Sequence, residues 1–208
     1  MELTLAITAF FTLFVVIDPV GLAPMFVAMT RGMSQRERLR IAATSCVIAV
    51  CILTVFGLAG QKILDFIGIS LAAFRISGGI LLFITALDML FERRSARREE
   101  KADDVVETAN DPSVFPLAMP LIAGPGALAS MILLASGAEW DVTIMVIGVM
   151  IAVVALVFAL FLLAGPIERL LGATGVTVAT RLMGMLLAAL SVQFVVDGLR
   201  DLGLLATL

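Results

Sequence analysis

Apolar residues run along this chain in long blocks rather than in alternation with polar ones. Six blocks stand out, at roughly 4–29, 41–63, 71–91, 113–136, 142–166 and 177–199. Each is long enough for a helix to cross the ~30 Å of hydrocarbon in a bilayer. The stretch from Val149 to Leu160 is apolar on every face, whereas a membrane β-strand would present apolar and polar residues in turn. Lipid offers no partner to an unpaired backbone amide, so blocks of this kind predict α-helices. The expected fold is an all-α membrane protein of six transmembrane helices, filling residues 1–208 as a single transmembrane domain.

Two blocks are interrupted near their centres. In the first, Asp18, Pro19, Gly21 and Pro24 follow one another within seven residues. In the fourth, Pro116 and Pro120 precede Ala123, Gly124, Pro125 and Gly126. Proline removes a backbone donor and pushes the residue before it out of helical geometry, while glycine loosens the chain. Six of the seven prolines lie in or just before these two blocks. The first and fourth helices are therefore expected to be broken.

The two interruptions are also related. Pro19 to Met25 resembles Pro125 to Met131, and the same offset of 106 residues carries Arg75 and Gly78 onto Arg181 and Gly184. The chain reads as two copies of a three-helix unit, about 4–91 and about 113–199, joined by a linker over 92–112. Three spans is an odd number, so the second copy enters the membrane upside down. Inverted repeats of this type place a substrate site near the bilayer midplane, between discontinuous helices, and alternate its access by moving one repeat against the other.

Composition and charge refine this picture. At 61% hydrophobic residues with a mean hydropathy of +1.13, the chain has too little polar surface to be a water-soluble domain. Arg31, Arg36, Arg38, Arg40, Arg93, Arg94, Arg97, Arg98, Lys101 and Arg169 fall in the odd-numbered connections, against Lys62 and Arg200 on the other side. The positive-inside rule then makes the linker cytoplasmic and both termini periplasmic, for a multi-pass protein of a bacterial inner membrane. Glu2 and the lack of a basic residue before the first block argue against a cleaved signal peptide. Cys46 and Cys51 lie inside the second block and read as packing residues.

Asp18 before Pro19 suits the N-cap and first position of a new half-helix. A carboxylate at mid-membrane also costs a few kcal/mol, roughly 2.5 to 3.5 on insertion scales, and commonly marks an ion or substrate path. The repeat equivalent of Asp18 is Gly124, which leaves the second half-helix uncapped and attractive to anions. Amides near Gly124 and Gly126 suit a substrate carboxylate, and Asp18 or freed carbonyls suit an ammonium. A small zwitterion is the expected substrate, with H+ or Na+ as coupling ions compatible with it. Arg75 and Arg181 either snorkel to an interface or act in gating or charge pairing, with Asp88, Asp197 or Asp18 as candidate partners. With no His and no Tyr, histidine-based catalysis and histidine metal sites are excluded. No enzyme activity, cofactor, metal site or nucleic-acid partner is expected. An oligomer is compatible with the sequence.

Three segments together, Ile17 to Phe26, Arg75 to Phe83 and Pro116 to Gly126, resemble the MarC family of integral membrane proteins, and the likeness spans essentially the whole chain. The resemblance implies a six-span protein grouped with LysE-like exporters, some of whose members are described as transporters of small neutral amino acids. It carries the family's motifs onto Asp18, Pro19, Gly21, Pro24, Arg75, Gly78, Pro120, Gly124, Pro125 and Gly126. A non-transporting envelope scaffold or regulator, or an exporter of another small solute, remains the competing expectation.

Overall fold

The computed structural model describes residues 2–91 and 112–204. The basic cluster at Arg93, Arg94, Arg97, Arg98 and Lys101, on which the expected orientation leans, lies outside the described residues, as does nearly all of the 92–112 linker.

Among the described residues every regular element is a helix. Helix α1 (Glu2–Ile17) and helix α2 (Pro19–Met29) are separated by Asp18 alone. Asp18 takes the left-handed conformation at φ 57° and ψ 63°, which only glycine adopts freely. Its amide still donates to Phe14 O at 3.0 Å and its carbonyl accepts from Leu22 N at 3.0 Å. The hydrogen-bond ladder thus passes through the break, and Leu3–Met29 remains one apolar span of 27 residues.

Helix α3 (Gln35–Ile67) opens on a capping box in which the Ser34 amide donates to Glu37 Oε2 at 2.8 Å and the Glu37 amide to Ser34 Oγ at 3.3 Å. It closes on Gly68 at φ 78°, a left-handed C-cap. Helix α4 (Leu71–Leu90) follows, capped by Ser70. Helix α5 (Ser113–Ile122) is irregular. Leu117 N reaches back five residues to Pro112 O and Ala123 N five to Ala118 O, because Phe115 and Met119 are extended ahead of Pro116 and Pro120. Helix α6 (Pro125–Ala135) departs from α5 at a 55° bend. Helix α7 (Trp140–Leu162) and helix α8 (Ala164–Asp201) complete the chain, with Gly172 at φ 62° interrupting α8 before its membrane-length part, Thr174–Asp201. Among the described residues five helices are long and apolar enough to cross a membrane, and a sixth span results if the bent α5–α6 pair counts as one.

Helices α4 and α8 form the closest seam of the bundle. Cβ atoms built on Gly198, Gly79 and Gly184 would meet Ala72 O at 3.0 Å, Ser191 O at 2.8 Å and Ala86 O at 3.2 Å. As the α4 numbers rise the α8 numbers fall, so the two helices are antiparallel. Without a hydrophobic drive between helices in lipid, such backbone approach at small residues is what holds them. Elsewhere the packing crosses the chain's midpoint: α3 leans on α5, α6 and α7, while α7 leans on α1, α2 and α3.

Two polar ties mark one end of the bundle. Gly137 N donates to Gln61 Oε1 at 2.8 Å, joining the α6–α7 turn to the end of α3. Arg75 Nη1 meets Asp201 Oδ2 at 2.6 Å, joining the start of α4 to the end of α8. At the opposite end Phe26 stacks on Phe161, ring centroids 4.4 Å apart, with the Arg38 guanidinium 5.7 Å from the Phe26 centroid. This alternation of ends is what successive crossings of a membrane require.

Candidate functional site: two helix breaks at mid-span

The first break is built by a single carboxylate. Asp18 is fully buried, and the Gly21 amide donates to its Oδ1 at 3.1 Å, capping α2 while Pro19 occupies the first helical position. The side chain folds so closely over Gly21 that a Cβ there would land on Asp18 Oδ2. Asp18 and Gly21 therefore need each other. Pro24 sits inside α2 without ending it.

The second break lacks any such group. Gly124 precedes Pro125 with no side-chain cap on α6. The amides of Gly126 and Ala127 start a helix and so have no intrahelical acceptor, while Pro125 has no N–H at all. A Cβ on Gly124 would approach Pro120 O to 2.6 Å, so the turn admits glycine only. Gly124 is half-buried and Pro125 exposed, whereas Ala123, Gly126 and Ala127 are buried.

Tertiary packing brings the two breaks together. A Cβ on Gly126 would meet Leu82 Cδ2 at 3.0 Å and Val16 Cγ1 at 3.2 Å. Val16 is the fourteenth of the 27 residues of Leu3–Met29, its midpoint, and Leu82 is the twelfth of the 20 residues of α4. Both breaks thus lie halfway along their neighbours. Val16 and Leu82 fill the flank of Gly126 in this arrangement.

Arg75 and Arg181 are not brought to the breaks. Arg75 is seven residues from Leu82 along α4, about 10 Å at helical rise, and pairs with Asp201 rather than with Asp88, Asp197 or Asp18. Arg181 precedes Gly184, which already faces Ala86 and Met89 near the far end of α4. The two arginines mark opposite ends of the α4–α8 seam.

Sequence reasoning missed Ser130. It is fully buried on α6, and its Oγ has no hydrogen-bond partner. The signal was a lone hydroxyl one turn beyond Gly126 in an otherwise apolar half-helix, in a segment read for its glycines and prolines.

These features define a multi-pass integral membrane protein with two juxtaposed, differently capped helix breaks. The chain belongs to the MarC family: the model for "MarC family integral membrane protein" matches residues 3–202. It is 43% identical to a UPF0056 membrane protein of Archaeoglobus fulgidus over 93% of this chain and 91% of that protein. It is 34% identical to the UPF0056 membrane protein MJ1677 of Methanocaldococcus jannaschii over 96% and 98% of the two chains. It is 37% identical to the UPF0056 membrane protein YhcE of Escherichia coli over 93% and 91%. No solved structure matches the chain.

Proposed function

We propose that this protein is a secondary transporter of small neutral amino acids of glycine or alanine size, working by alternating access at the paired breaks. The observation that carries the reading is their asymmetry at mid-span: a buried carboxylate caps α2, while the α6 N-terminus opposite presents uncapped amides. In a low-dielectric interior an open helix N-terminus favours an anionic group, here the substrate carboxylate on the Gly126 and Ala127 amides. Asp18 and carbonyls near the first break supply the complementary charge for an ammonium. The Val15 carbonyl, for instance, faces Pro19 at the i+4 position, which has no N–H to give.

An inverted repeat underlies this reading. Exchanging each residue with its equivalent 106 positions away turns the Gly79–Ser191 contact into one between 185 and 85, beside the observed approach of Gly184 to Ala86. The element packing supports this symmetry, since α3 lies on α5–α6 as α7 lies on α1–α2. Each broken span is thus wrapped by helices of the other half. The moving bodies in our reading are accordingly the crosswise bundles α1–α2–α7–α8 and α3–α4–α5–α6, not the two halves of the sequence. The cytoplasmic linker, periplasmic termini and coupling to H+ or Na+ belong to the same proposal.

Purified protein in liposomes tests it. Preloaded vesicles are expected to exchange labelled glycine or alanine, with amino acid amides competing poorly because they lack the carboxylate. Amides that compete as well as their acids would remove the carboxylate from the α6 N-terminus, and no flux of any small amino acid would overturn the substrate class. Gly126→Val is not a clean probe, because its side chain would displace Val16 and Leu82.

A further inference from the structure

Seven hydroxyl groups of this bundle share an arrangement that Ser130 lacks. Among the described residues, Thr8, Thr30, Ser45, Ser77, Thr85, Thr143 and Ser191 each donate to a carbonyl three or four residues back on their own helix. That bond is the usual refuge of a hydroxyl in an apolar helix. The Gly126 carbonyl stands at the same offset from Ser130, yet Ser130 Oγ makes no hydrogen bond while fully buried. Leaving a buried hydroxyl unpaired is unfavourable, because it gives up its bonds to water and gains none in return.

The helical wheel gives its direction. Successive residues turn by about 100°, so around α6 the order on one side is Ala129, Leu133, Gly126, Ser130. Ala129 and Leu133 face Gly78 on α4, and Gly126 faces both Leu82 on α4 and Val16 on α1. Ser130, next in order, lies on the α1 flank. The open start of α6 and Ser130 consequently lie on opposite sides of the level at which Val16 and Leu82 close on Gly126.

We infer that Ser130 lines the route of the solute beyond a constriction formed by Val16, Leu82 and Gly126, where its hydroxyl hydrogen-bonds a polar group of the passing solute once α1 and α6 part. This rests on the transporter reading. The unpaired hydroxyl belongs to the closed arrangement, which it destabilises, and gains a partner only in the open one. Ser136, whose buried Oγ also makes no hydrogen bond, sits at the C-terminal cap of α6 and has no such position.

The experiment uses full-length protein with Cys46 and Cys51 replaced by alanine, reconstituted in liposomes. Ser130→Cys is expected to react with a membrane-impermeant thiol reagent during turnover, to lose transport on reaction, and to be protected by excess glycine or alanine. Ala129→Cys, one residue away and facing Gly78, is expected to stay unreactive. Ser130→Ala is expected to slow exchange about fivefold, the equivalent of one hydrogen bond, with unchanged or raised thermal stability. An active Ser130→Cys protein that never reacts, or a Ser130→Ala protein that transports normally, would overturn the inference and leave the transporter reading standing. Absence of transport in the parent protein with Ser130→Cys still reactive would sink that reading instead, and the solute route with it.

Discussion

At the scale of single residues, Asp18 joins a backbone demand to a chemical one. Its left-handed φ of 57° and its cap on Gly21 are things asparagine also provides, whereas its charge is not. Asp18→Asn is therefore expected to fold with near-normal yield and thermal stability but to lose most glycine exchange in liposomes. Asp18→Ala, which forfeits the cap as well, is expected to cost a further ~1 kcal/mol of stability. Equal loss of yield and transport in the Asn variant would reduce Asp18 to a structural cap. Proline and glycine were legible at both breaks because their constraints are local. Ser130 was not, because nothing local distinguishes a hydroxyl that bonds its own helix from one that does not.

Helices show where a small residue matters. Gly79 and Gly148 are both helical glycines, and in sequence they look alike. A Cβ on Gly79 would stand 2.8 Å from Ser191 O, while one on Gly148 would meet nothing within 4 Å. Gly79→Ala must push α4 off the α8 backbone and is expected to destabilise by about 1–3 kcal/mol. Gly148→Ala should be neutral or stabilise by up to about 1 kcal/mol through helix propensity. Thermal unfolding in detergent, monitored by circular dichroism, distinguishes the two. Ser34→Ala, which dismantles the capping box of α3, is expected to lower stability by about 1 kcal/mol in the same assay. Helix bounds were readable to within a few residues from the apolar blocks, but α3 begins at Gln35 rather than near 41. Its first turns are polar, and the cap at Ser34, not hydropathy, starts the helix.

For the whole molecule, the crosswise packing makes a prediction about motion. A Cβ on Gly60 of α3 would lie 3.2 Å from the Cβ of Ile132 on α6, close to the spacing a disulfide bridges. In a background without Cys46 and Cys51, Gly60→Cys with Ile132→Cys is expected to cross-link on oxidation and to retain exchange, because both residues belong to one crosswise bundle. Loss of exchange on oxidation, restored by reduction, would mean that α3 and α6 move apart during the cycle. The repeat halves would then be the moving bodies.

The sequence by itself determined that the chain is a helical membrane protein, where its helices run and which two of them break. Those properties follow from the hydrophobicity of long blocks and from the backbone constraints of proline and glycine, all of which act within a few residues. Only the tertiary structure decided that Gly126 meets Val16 at mid-span, that Arg75 pairs with Asp201 instead of a carboxylate nearer the breaks, and that each broken span is held by the opposite half. Contacts of this kind depend on how helices far apart in the chain turn their faces to one another. An apolar residue that will face lipid and one that will face a neighbouring helix are written in the same letters.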